Sequence, residues 1–153
     1  MNKNLALLER VKKWPGGLKI FSRLLCFKAP YFSSIRPTFT VLEPGRGEAV
    51  MKKRRAVLNH IGTVHAIAMA NLCEVVAGTT LEMTIPETHR WIPKSMKINY
   101  LNKATTDLMA KTEINPPTWP DGGPVMVSVE VLDKNATQVV TADIEMYISR
   151  KKS

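Results

Sequence analysis

Between Ile61 and Thr80 the chain runs for twenty residues with a single charged side chain, Glu74. A helix that is apolar almost all round is stable in water only when other elements cover most of its surface. One flat layer of sheet covers one side only, so the stretch demands a sheet that curls around it. It also singles out Glu74. An unpaired ionised carboxylate is costly to bury, and such a group is kept by a partner, by a raised pKa or by a function.

The flanking sequence supplies material for the wrapping. From Thr38 the apolar period drops to two through Thr38-Phe39-Thr40-Val41-Leu42, turns at Pro44-Gly45-Arg46-Gly47 and resumes at Glu48-Ala49-Val50-Met51-Lys52, which predicts a hairpin. The apolar stretch, read as helix to about Thr84, is followed by strand candidates at Met96 to Leu101, Asp107 to Ile114, Val125 to Leu132 and Gln138 to Ile148. Ahead of the hairpin, Leu5, Leu8 and Val11, then Leu18, Phe21, Leu24 and Leu25, recur at helical spacing on either side of a Trp14-Pro15-Gly16-Gly17 break. These two short amphipathic helices are expected to cap the sheet, the alternative being a membrane surface. The reading is therefore α+β: one domain over 1–153, with a helical extension at 1–34 and an antiparallel sheet wrapped around a long central helix at 35–150. A wrapped sheet keeps exposed edges, which favours association with a second copy.

With 22 Lys and Arg against 13 Asp and Glu, the net charge of +9 points to an anionic partner. Nucleic acid, a membrane surface and a phosphorylated small molecule all satisfy it. No aromatic ladder accompanies the basic runs Lys52-Lys53-Arg54-Arg55 and Arg150-Lys151-Lys152, so they read as a solvated strand edge and a basic tail. Cys26 and Cys73 are far apart among apolar neighbours, as reduced core residues are, and neither a disulfide nor a metal site is expected. Charged residues interrupt the N-terminal helices and the best apolar run alike, which argues for a cytoplasmic protein with no stable membrane insertion.

Within and before the apolar run, Asn59, Gly62, His65 and Glu74 stand at spacings of three, three and nine. This pattern resembles that of the hotdog-fold acyl-CoA thioesterases, in particular the phenylacetate-pathway branch, and the resemblance extends over about Arg36 to Tyr147. Met96 to Ala104 and Leu108 to Lys111 are similar to the family's strands after the central helix. The N-terminal helices lie outside the minimal hotdog pattern and resemble a thioesterase-like subfamily that carries such an extension. The chain departs from the family at one point: His65-Ala66-Ile67 stands where His-Gly-Gly is usual, so a methyl group and a branched side chain crowd the approach.

The resemblance implies an acyl-CoA hydrolase with coenzyme A as part of the substrate and no other cofactor. It assigns the backbone N–H of Ala66 to polarising the thioester carbonyl and Glu74 to activating water or attacking the carbon. On one regular helix, nine residues at about 100° and 1.5 Å each leave His65 and Glu74 half a revolution apart and about 13 Å along the axis. A site within one chain is thereby disfavoured, and in hotdog thioesterases the two groups come from different subunits. The expected site is thus composite, with Asn59, Gly62, His65 and Ala66 of one protomer facing Glu74 of its mate in a homodimer or a dimer of dimers.

Asn71, one turn before Glu74, is placed to orient a water or to satisfy a core contact. Arg54, Lys97 and Lys103 are candidates for the phosphates of coenzyme A, or surface charge. His65 also reads as a loop hydrogen-bonder, Asn59 as a loop or cap residue, and Glu74 as the partner of a neighbouring cation. His60 and His89 are read as structural, and Met69, Met83 and Trp91 as core. The competing function is a non-catalytic hotdog module binding acyl-CoA or another hydrophobic ligand. A hotdog dehydratase is disfavoured because no His-Phe-Pro occurs.

Overall fold

The computed structural model describes residues 3–116 and 118–152. Its elements in chain order are α1 (Lys3–Lys12), α2 (Gly17–Lys28), a 3-10 turn at Pro30–Ser34, β1 (Thr38–Glu43), β2 (Arg46–Met51), a 3-10 turn at Arg55–Val57, α3 (Ala66–Thr84), β3 (His89–Tyr100), β4 (Leu108–Glu113), β5 (Gly122–Leu132) and β6 (Gln138–Arg150). The six strands form one antiparallel sheet in the order β1-β2-β4-β5-β6-β3. All six touch α3, which is the wrapping that its composition demands. The architecture is the hotdog fold.

Period-two burial along β5 and β6 turns Val127, Val129 and Val131, and Val140, Ala142, Ile144, Met146 and Ile148, towards the helix. The opposite face carries ion pairs such as Lys111 with Glu130, with N and O 2.8 Å apart. The β1–β2 hairpin closes through Pro44 and Gly45, the glycine at φ +86°, and Glu43 pairs with Arg46. Pro at the first turn position and a left-handed glycine at the second are what a tight turn of this type needs.

Three boundaries differ from expectation. The central helix begins at Ala66, not at the start of the apolar run, because the Asn59–Thr63 loop and a Leu58–Val64 bridge hold 59–64 out of helix. The third strand begins at His89 rather than Met96. Pro93, which lacks an N–H and hides the alternation, sits at a register shift on an edge strand, where proline is tolerated. The fifth strand likewise begins at Gly122 rather than Val125.

The N-terminal helices cover the flank of α3 that the sheet leaves open. Ser22 on α2 accepts from the Phe39 N–H of β1 at 2.9 Å, Lys12 reaches the Leu42 carbonyl, and Asn4 on α1 donates to Glu82 on α3 at 2.8 Å. They therefore cap helix and edge strand together. Although α3 is long and apolar enough to cross a membrane, most of it is buried between sheet and helices.

Candidate active site

The loop before α3 is shaped by Asn59. Its Oδ1 accepts from the Ile61 and Thr63 N–H groups, both at 3.1 Å, while its Nδ2 donates to Thr63 Oγ1 at 2.7 Å. Gly62 sits in this loop at φ +79°, a left-handed conformation that glycine adopts without strain. Asn59 and Gly62 thus act on the loop's conformation, and both the oxygen and the nitrogen of the Asn59 amide already have partners within the loop. They aim His65, which caps the helix: its backbone N–H donates to Val57 and its Nδ1 accepts from the Ile67 N–H at 3.0 Å.

With Ile67 N–H occupied, the Ala66 N–H has no acceptor among the described residues. It lies at the positive end of a nineteen-residue helix, a ready donor for an oxygen that gains charge. Ile67 is 56% exposed yet lines the cleft beside His65, so its branched side chain stands at the approach to the helix start. Tyr100, at the end of β3, donates its hydroxyl to the Ala66 carbonyl at 3.1 Å and fixes the first turn from the other side. Partial burial, and secondarily Cys73, raises the phenol's pKa, so it stays a donor at neutral pH. Sequence reasoning placed Tyr100 in a strand but not at the site, since only the sheet's curl brings it over the helix start.

Glu74 stands elsewhere. It is half-buried on the wall of a cavity of about 320 Å³ between α3, the N-terminal helices and β3, and it has no hydrogen bond or ion pair among the described residues. Among the described residues no cation pairs with it, although Lys28 of α2 lines the same cavity. His65, in contrast, opens onto a cleft of about 180 Å³ on another face, lined also by Tyr31, Ser34 and Ala68. One chain therefore keeps His65 and Glu74 apart, as the half-turn offset along α3 requires.

Asn71 belongs to the His65 cleft rather than beside Glu74. It is 5% exposed, donates to Ser34 Oγ at 3.2 Å, and leaves its Oδ1 without a partner. Of the two expectations for Asn71, the buried bond to Ser34 matches the structural contact; a water oriented from a helix face shared with Glu74 is not available within one chain, because the two residues line different cavities. Arg54 is no solvated strand-edge charge. It is half-buried and donates through Nη2 to the Ser34 carbonyl, next to Asn71, while its Nε has no partner. Lys103 is exposed and adjoins Ala104, whose carbonyl receives the Val64 N–H just ahead of His65. Lys97 is exposed on β3, opposite Asp143 of β6.

The Glu74 cavity contains residues that sequence reasoning assigned to core or left unassigned. Met83 and Trp91 line it, whereas Met69 is buried in the core. Gly78, four residues after Glu74, admits the Trp91 ring: a Cβ there would lie 2.7 Å from the indole. Trp91 Nε1 donates to Glu82 Oε2 at 2.8 Å, and Glu82 also receives Asn4, so Glu82 on the cavity wall is held in a hydrogen-bonded polar cluster. No group of His, Cys, Asp and Glu that could hold a metal occurs among the described residues. His89 is 7% exposed and bonds Thr88 and Asp121, the structural part expected of it.

Among solved structures, the structural-genomics protein APC5556 is 40% identical with a TM-score of 0.85, the match covering 97% of this chain and 99% of that one. PA5026 from Pseudomonas aeruginosa, a protein of unknown function given as a probable thioesterase, is 18% identical over 90% of this chain and 97% of its own, with a TM-score of 0.79. Zebrafish thioesterase superfamily member 2 is 16% identical over 88% and 95%, with a TM-score of 0.70. The last two share the fold. No curated protein matches the chain by sequence. Residues 17–148 match a family model described as domain of unknown function DUF4442, which runs from the start of α2 to Ile148 in β6. The chain belongs to the DUF4442 family, on a hotdog fold shared with thioesterase-family proteins.

Proposed function

We propose that the protein is a thioester hydrolase acting on an acyl-CoA, with each active site shared between two subunits. The observation that carries this reading is the partnerless Glu74 carboxylate on an apolar cavity, on the same helix as the uncommitted Ala66 N–H but turned away from it. In a homodimer that sets the helices antiparallel, the Ala66 N–H of one protomer meets Glu74 of its mate. The free edge of β3, paired only with β6 in the sheet, offers a strand along which two copies can join.

In this site the thioester carbonyl oxygen accepts from Ala66 N–H and gains charge as the carbon is attacked. Glu74 takes a proton from the attacking water, or attacks the carbon itself and is then released by water. In the first route the proton taken from water passes to the sulfur, the C–S bond breaks and the acyl group leaves as a carboxylic acid; in the second the C–S bond breaks as the acyl–Glu74 anhydride forms, the thiolate leaves, and the water that hydrolyses the anhydride yields the acid and restores the carboxylate. Asn59 and Gly62 position His65 and the helix start, while Arg54, Lys97 and Lys103 supply positive charge for the phosphates of coenzyme A. Both cysteines are free, which suits a cytoplasmic site of action.

The test is hydrolysis of an acyl-CoA panel by the purified protein beside Glu74→Gln, with thiol release as readout. A loss of at least 10²-fold in kcat for the variant is expected. Equal activity of the two proteins, or no turnover of any acyl-CoA by the wild type, refutes the reading. A second reading, acyl-CoA binding without turnover, is favoured by one observation: the side chains of Asn59 and His65 are already engaged in the loop and cap. Calorimetric binding with no thiol release distinguishes it.

A further inference from the structure

The N-terminal helices α1 and α2 lie outside the minimal wrapped-sheet pattern, yet they build most of one wall of the Glu74 cavity. Leu7 comes from α1, Leu24 and Leu25 from α2, and Phe32 from the turn that follows, opposite Met83 and Trp91. Polar groups mark the two ends. Glu74, without a partner among the described residues, stands at one, and eight residues further along α3 Glu82 is bonded by Asn4 and Trp91. Eight residues of helix span roughly 12 Å. An extended chain advances roughly 1.2 Å per bond, so about ten bonds fit between the two carboxylates. Volume agrees. A cavity of about 150 Å³ holds a six-carbon ring, and on that scale the 320 Å³ here takes roughly twelve heavy atoms.

The geometry points to this cavity as the acyl-chain site: the N-terminal extension measures the substrate, which is a saturated, unbranched acyl group of about eight to ten carbons whose thioester carbon lies at Glu74. This rests on the thioester-hydrolase reading and adds to it the substrate class and the element that sets it. The hydrogen-bonded Glu82 cluster rejects longer chains, because a methylene pushed against it would strip a carboxylate of its partners. Leu24 is 44% exposed, on the wall and at the rim, so changes there alter the cavity with little effect on the core.

The experiment measures kcat/KM for saturated acyl-CoAs of four to sixteen carbons with wild type, Leu24→Trp and Leu24→Ala, and in parallel the displacement of a fluorescent fatty acid by decanoate. In the wild type kcat/KM is expected to rise about fourfold per methylene and to stop rising near ten carbons. Leu24→Trp should lower the decanoyl-to-butyryl ratio at least tenfold and weaken decanoate binding, while Leu24→Ala, which removes wall contact but leaves the Glu82 limit in place, should lower that ratio without moving the optimum beyond ten carbons. If acyl-CoAs are hydrolysed but the profile is the same in all three proteins, the cavity assignment is overturned and the hydrolase reading stands. If nothing is hydrolysed but decanoate binds and Leu24→Trp weakens it, the cavity assignment stands and the hydrolase reading falls. Neither turnover nor binding overturns both.

Discussion

The seat of the central helix on the sheet depends on one missing side chain, and Gly47→Ala tests it. A methyl group on Gly47 of β2 would lie 1.9 Å from Thr80 Oγ1 and 3.1 Å from Thr80 Cβ on α3. Thr80 is fully buried and its hydroxyl has no hydrogen-bond partner, so nothing holds Oγ1 in place. Rotation gives only partial relief, because two of the three χ1 wells of a β-branched residue put a heavy atom in the same place and Cβ stays close in all. Overpacking of this kind costs about 1–3 kcal/mol, and replacing a strand glycine regains about 0.5–1 kcal/mol. The net expectation is a loss of about 1–2 kcal/mol, or roughly 3–8 °C in Tm for a chain of this size. Thr80→Ala deletes the clashing atoms and an unpaired buried hydroxyl, so alone it should stay within about 1 kcal/mol of wild type. Combined with Gly47→Ala it should recover at least about 1 kcal/mol. Urea unfolding of the four proteins, followed by circular dichroism, measures the cycle. If Gly47→Ala is as stable as wild type, or if the double variant is merely additive, the close helix–strand contact is not what fixes the helix.

Two further outcomes follow from burial and charge. The Cys73 thiol, fully buried on α3, has its pKa pushed up to about 12 by desolvation and stays unreactive at pH 8, whereas half-buried Cys26 reacts; a thiol reagent should therefore titrate one group in the native protein and two in denaturant. Asp121 is held below its ordinary pKa first by its hydrogen bond from Arg150 and then by that from His89. A depressed carboxylate stabilises the fold above its unfolded pKa, and that contribution disappears as pH falls through the folded value, below about pH 4. Melting from pH 5 to 2 should accordingly fall more steeply for wild type than for Asp121→Asn, and parallel curves would show that the β3–β6 end is not tied by this carboxylate.

Much of the molecule was legible in the chain because it rests on local chemistry. The charge-poor run around Glu74 dictates a wrapped helix, Pro44-Gly45 dictates a hairpin, and alternation through Val125 to Leu132 and Gln138 to Ile148 dictates strands. The offset between His65 and Glu74 follows from helical geometry, and the structure duly sends them into separate cavities. Other features were hidden for identifiable reasons. Pro93 broke the alternation that would have shown β3 starting at His89, and Asn59 and Gly62 sit in an apolar sequence whose loop conformation comes from side-chain hydrogen bonds, not from composition. Asn71 and Glu74 share a helix, yet which cavity each enters depends on how α2 and its following turn pack beside them.

Periodicity and spacing thus determined the wrapped helix, its strands and the separation of the candidate donor from the candidate carboxylate, since each depends on residues a few positions apart. Only tertiary structure decided that Tyr100 reaches back to Ala66, that Trp91 fills the place left by Gly78, and that two N-terminal helices wall the cavity at Glu74. Those pairings join residues tens of positions apart, and they come into existence only when the sheet has curled around the helix.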